Sequence, residues 1–142
     1  MKLSRLNQEM RAFFADLYEG ESKPLVLGEG SENARLALVG EAPGEQEALK
    51  GKPFVGKAGR NLDEFLRATG LERSQLYITN VVKIRPTRVS EAGRIVNRPP
   101  TREEIALFLP WLKRELAAVK APVVVHMAAN LAGLLAAAVN LP

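Results

Sequence analysis

The chain has 142 residues, the length of one ordinary domain, and is 46% hydrophobic, 25% charged and 6% aromatic, a globular balance. Cysteine is absent, which excludes disulfides, cysteine nucleophiles and thiolate-bound zinc or iron–sulfur centres, and the single histidine, His126, leaves little room for a transition-metal site or a histidine triad. The net charge of +4 is uneven: Lys83, Arg85, Arg88, Arg94, Arg98 and Arg102 stand against Glu91 alone, so residues 83–102 carry +5 and the rest −1.

Such a local basic patch suggests an anionic partner, nucleic acid first, although a solvated loop would look the same. No apolar run reaches the ~18 residues of a membrane span. Residues 1–5 are not followed by an apolar stretch and an Ala-x-Ala site, so no secretory signal is expected. One cytoplasmic domain over residues 1–142, without metal or cofactor, is the expectation.

Leu6, Met10, Phe13, Phe14 and Leu17 form the stripe of an amphipathic helix over 6–17, ended by Gly20. Residues 24–27 read as a short extended piece and 35–39 as a buried strand. Leu62, Phe65, Leu66 and Thr69 mark a second helix from about Ala58 to Gly70. Residues 76–82 are a second buried strand, and 83–100, with three prolines, a long loop. Thr101 and Glu104 then form a capping box that opens a helix to about 119. Residues 123–125 are a third strand and 131–139 an Ala-rich helix. Strands alternating with helices imply an α/β fold, a mainly parallel sheet covered on both faces, with its ligand at the carboxyl ends of the strands.

That rule points to three places. Gly40-Glu-Ala-Pro-Gly44 is a tight turn after the first strand, crowded by Glu41, Glu45 and Glu47; it is either a backbone-amide cradle or a polar turn with a solvated acidic rim. Asn80 interrupts an apolar strand, where a buried amide either caps the strand end or offers its paired donor and acceptor to a base edge. His126 closes the third strand and reads as structural. Between them, residues 51–58 approximate a phosphate-binding loop, but Ala58 lacks the hydroxyl that would hold Mg²⁺ and Phe54 suits stacking on a planar ring.

Taken together and in order, GEAPGEQE, GKPFVGKAGRNLDEFL, YITNVVKIRP and NRPPTREE resemble the uracil-DNA glycosylase superfamily, closest to its family 4, from about Leu25 to Val125. The resemblance implies a three-layer α/β/α fold and hydrolysis of the N-glycosidic bond of uracil in DNA, with the base flipped into a pocket. Uracil-containing DNA would be the partner of a monomeric protein. Phe54 would stack on uracil, and Asn80 would read its Watson–Crick edge. Gly40, Gly44 and the amides of Glu41 and Ala42 would hold a base oxygen, Glu41 would lie near the sugar and its attacking water, and Glu47 would line the pocket. Lys83, Arg85, Arg88, Arg94, Asn97 and Arg98 would face phosphates.

Three departures qualify the likeness. Family 4 carries four cluster-binding cysteines; here two of those positions hold Ile84 and Phe108, and the two amino-terminal ones have no counterpart. Ala42 stands where related families place a catalytic aspartate, which leaves electrostatic stabilisation of a dissociating state as the main contribution. The family's late histidine motif follows a further strand that these residues do not include, so a truncated piece or a crippled enzyme is expected. A non-catalytic nucleic-acid-binding relative and a nucleotide-binding module on residues 51–58 stay open as alternatives.

Overall fold

From the amino terminus the elements are α1 (Leu3–Leu17), β1 (Glu29–Gly30), β2 (Leu36–Gly40), α2 (Glu45–Lys50), α3 (Lys57–Thr69) and β3 (Leu76–Asn80). They continue with β4 (Thr87–Val89), β5 (Ile95–Asn97), α4 (Arg102–Val119), β6 (Val123–His126) and β7 (Ala138–Asn140). The computed structural model describes residues 2–126 and 138–140. Among them, no helix is long and apolar enough to cross a membrane.

Side chains alternate across a strand, and the two faces of the sheet therefore build two cores. Ala37, Val39, Tyr77 and Val124 pack against Leu6, Met10 and Phe14 of α1 and Phe108 and Leu112 of α4. The intervening Leu38, Ile78 and Val125 pack against Leu62 and Phe65 of α3. The result is the expected three-layer α/β/α arrangement. The central strands run parallel in the order β3-β2-β6, and β1 and β7 flank them antiparallel. This register sets Gly40 beside Asn80 at the carboxyl edge, with Val39 beside His126.

Three local expectations are corrected. The acidic segment after Gly44 is the short helix α2, because Glu47 folds back onto the Gly44 amide and ties the first turn. Residues 24–27 lie outside the sheet, held by the Val26 amide donating to the Lys83 carbonyl at 2.7 Å. Residues 83–100 are not a loop: Thr87, Val89, Ile95 and Val96 are β-branched, and β4 and β5 pair as a hairpin closed by Gly93 at φ 80°. Ala138 and Val139 belong to a strand on the edge of β6 rather than to a helix. The rest of that expected helix, 131–137, lies outside the described residues.

Candidate functional site

Gly40 ends β2 where Asn80 ends β3, and the lack of a side chain at Gly40 is what lets the site close. A Cβ there would overlap Asn80 Oδ1 and stand 2.9 Å from Phe54 Cζ. The Asn80 amide and the Phe54 ring thus meet over the Gly40 backbone, both nearly buried. No hydrogen bond between described residues involves the Asn80 side chain, and its amide is not a fully buried orphan. Beyond the sheet, the Val81 and Val82 amides donate to the carbonyls of Gly40 (2.8 Å) and Glu41 (3.0 Å), which lock the first turn onto the second.

Phe54 sits at φ 55°, a left-handed conformation unusual for a bulky residue, and its surroundings impose it. Glu47, buried, accepts the Gly44 amide on Oε1 at 3.0 Å and those of Val55 and Gly56 on Oε2 at 2.9 and 2.6 Å. Arg73 donates to the carbonyls of Pro53 and Phe54 at 3.3 and 3.4 Å. Gly59 lets α3 approach so closely that a Cβ would overlap the Phe54 carbonyl. Glu47 is therefore a clamp that binds the Gly44 turn to the Phe54 loop. The same bonds count against a phosphate cradle at 51–58, since two of its amides already serve a carboxylate.

Glu41 is exposed at the rim, and Ala42 is half-buried against the α1–α4 core. His126 is exposed at the end of β6, one strand beyond Gly40 from Asn80.

The basic residues separate into three groups. Arg88 and Arg94 are exposed on the hairpin and make no side-chain bond among the described residues. Arg85 and Arg98 are engaged. Arg85 Nε donates to Asn97 Oδ1 at 2.6 Å with Nη2 3.7 Å from Glu45, while Arg98 Nε donates to the Thr87 carbonyl at 2.8 Å and its fork grips Glu104. Asn97 in turn lies against Gly44, so the hairpin root adjoins the first turn. Lys83 is a correction: it is fully buried and cannot meet a phosphate.

Lys83 belongs to a cluster that sequence reading missed. Its Nζ donates to Glu115 Oε1 and Thr79 Oγ1, each at 2.7 Å, and to the Asn80 carbonyl. Glu115 Oε2 accepts the Tyr77 hydroxyl at 2.5 Å and that of Thr79 at 2.8 Å. Burial draws the Lys83 pKa below its ordinary value against the opposing pull of Glu115. Burial, reinforced by the Glu115 charge, pushes the Tyr77 hydroxyl upward. The signal was present: Phe108, Leu112, Glu115 and Val119 share the inward stripe of α4, and an acid there demands a buried partner.

A four-iron cluster does not fit these residues. The chain has no cysteine, Ile84 and Phe108 are buried in the apolar core, and no group of three His, Cys, Asp or Glu among the described residues could hold a metal ion. Phe108 instead stacks on Phe14, ring centroids 4.4 Å apart.

The family model described as the uracil DNA glycosylase superfamily matches residues 27–139. The chain is 47% identical over 100 residues to the Type-4 uracil-DNA glycosylase of Archaeoglobus fulgidus, covering 70% of this chain and 46% of that one. It is 42% identical over 106 residues to the Type-4 uracil-DNA glycosylase of Thermotoga maritima, covering 75% and 51%. A match of 32% over 110 residues to the DNA polymerase of Bacillus phage SP01 covers 77% of this chain and 11% of that protein. The chain spans about half the length of the two glycosylases.

Proposed function

The chain belongs to the uracil DNA glycosylase superfamily, and from that premise we propose that it recognises uracil flipped from DNA and hydrolyses its N-glycosidic bond in base-excision repair. The Asn80 amide, without a side-chain hydrogen bond among the described residues, carries this reading. Buried against the Phe54 ring, it keeps a donor and an acceptor side by side for the uracil edge, and cytosine, with its donor pattern inverted, is refused. Phe54 stacks on the base. The backbone of Gly40 and Gly44 and the amides of Glu41 and Ala42 hold a base oxygen, while Glu41, exposed at the rim, faces the sugar and its water.

With alanine at 42, catalysis rests on stabilising charge as the bond dissociates, not on a proton acceptor at that position. Glu47 supports the pocket through backbone amides. Arg88 and Arg94 meet phosphates, with Arg85 and Asn97 at the hairpin root. Residues 1–142 act as one domain, as a monomer in the cytoplasm, with uracil-containing DNA as partner.

The test is incubation with uracil-containing single-stranded DNA followed by cleavage of abasic sites, for the parent and for Asn80→Ala. Strand cleavage by the parent that collapses in the variant, while binding to undamaged DNA persists, is expected. A parent that binds such DNA without producing abasic sites would instead favour the non-catalytic relative.

A further inference from the structure

Asn80 is anchored from the opposite face of the sheet. Its side chain lies on the α3 side, yet its carbonyl is taken by Lys83 Nζ, whose other partners, Thr79 and Glu115, lie on the α4 side. The cause is the end of the sheet: β1 pairs with Tyr77 and Ile78, and among the described residues no strand meets Asn80 on that edge. Lys83 and Glu115 are fully buried, and a buried ion pair adds little stability that well-packed apolar residues would not. What apolar residues cannot supply is a donor to the Asn80 carbonyl. Gly28 is shaped to the same cluster, since a Cβ there would stand 2.6 Å from Glu115 Oε2 and 2.8 Å from Thr79 Cβ.

We propose that the Lys83–Glu115 pair is a positioning device for Asn80, fixing the end of β3 so that the side-chain amide meets the uracil edge. It rests on the uracil-recognition reading above. Lys83 and Glu115 touch neither base nor sugar and act only through the Asn80 backbone. A misplacement of ~1 Å at a recognition group costs about 100-fold in rate.

The decisive variant is Lys83→Met with Glu115→Gln, which removes both charges and the donor to Asn80 yet keeps an acceptor for Tyr77 and Thr79. Expected are a melting temperature close to the parent's, a fall of about tenfold to 100-fold in kcat on uracil-containing single-stranded DNA with KM nearly unchanged, and displaced or broadened Asn80 side-chain amide resonances in ¹H–¹⁵N spectra. Should that variant not fold, Thr79→Val removes one anchor of the ammonium and is expected to move the same resonances by less. Asn80 resonances unchanged in a folded variant would overturn the proposal. A parent without activity would overturn the glycosylase reading alone, because the spectra report on Asn80 without turnover.

Discussion

Arg98 and Glu104 face each other through two near-parallel bonds, Nη1 to Oε1 at 2.6 Å and Nη2 to Oε2 at 3.0 Å. The same carboxylate accepts the Thr101 amide at 2.8 Å, and Arg98 Nε holds the Thr87 carbonyl. One ion pair therefore ties the hairpin to the amino-terminal cap of α4. A bidentate arginine–carboxylate pair adds geometric definition as well as energy.

This pair makes stability depend on pH. The Arg98 hydrogen bonds, helped by the Thr101 amide and opposed by partial burial, bring the Glu104 carboxyl down from 4.5 to about 2. A depressed folded-state pKa contributes stability that is fully present above about 4.5 and is lost as pH falls towards 2. Glu104→Gln removes that linkage. Melting temperatures between pH 6 and pH 2.5 are expected to fall less steeply for the variant; equal slopes would refute the assignment.

Glu47 offers a test of how the Phe54 loop is held. An amide left unpaired when fully buried costs about 1–3 kcal/mol, and Glu47→Ala leaves three part-buried ones without their acceptor, so a loss of about 2–3 kcal/mol is expected. Glu47→Gln keeps one acceptor oxygen and is expected to lose less. Urea unfolding measures both, and a loss under ~1 kcal/mol for the alanine variant would remove the clamp.

Gly40→Ala probes the closeness of Asn80 and Phe54 directly. Gly40 is not among the glycines with positive φ, so alanine meets a shortage of space and not a backbone restriction. The added methyl is expected to displace the Asn80 amide and abolish uracil excision with the fold intact by circular dichroism. Parental activity in this variant would mean that Asn80 does not work at the position described.

The layers were legible because they depend on patterns of period. The runs at 36–40, 76–80 and 123–126 are apolar nearly throughout, which marks strands covered on both faces, and the stripes of α1 and α3 are regular. The turn at Gly40, Asn80 and His126 could be placed at one sheet edge by the same logic, whereas Phe54 was tied to that edge only by the resemblance. What stayed hidden was tertiary pairing. Glu47 looked like one of three solvated acids until two distant amides found it, and Lys83 counted as surface charge until Glu115 arrived from another element. Arg98 was read as a phosphate contact from the resemblance, whereas its fork is committed to Glu104.

That division changes what the basic segment should do on DNA. Arg88 and Arg94 are exposed and without a side-chain partner among the described residues, on a hairpin whose root touches the Gly44 turn through Asn97. Each phosphate contact contributes about −0.9 to the slope of log K against log salt on duplex DNA. Arg88→Ala with Arg94→Ala is expected to weaken binding regardless of sequence or uracil content and to flatten that slope by roughly two units, with little change in melting temperature. Arg98→Ala is expected to do the reverse, lowering melting temperature by freeing the hairpin from α4 while the slope changes far less. Lys83→Ala belongs with stability as well, because it leaves Glu115 buried without its cation. An unchanged slope in the Arg88–Arg94 double variant would show that the hairpin does not meet the phosphates, and the +5 of residues 83–102 would then be a solvated face.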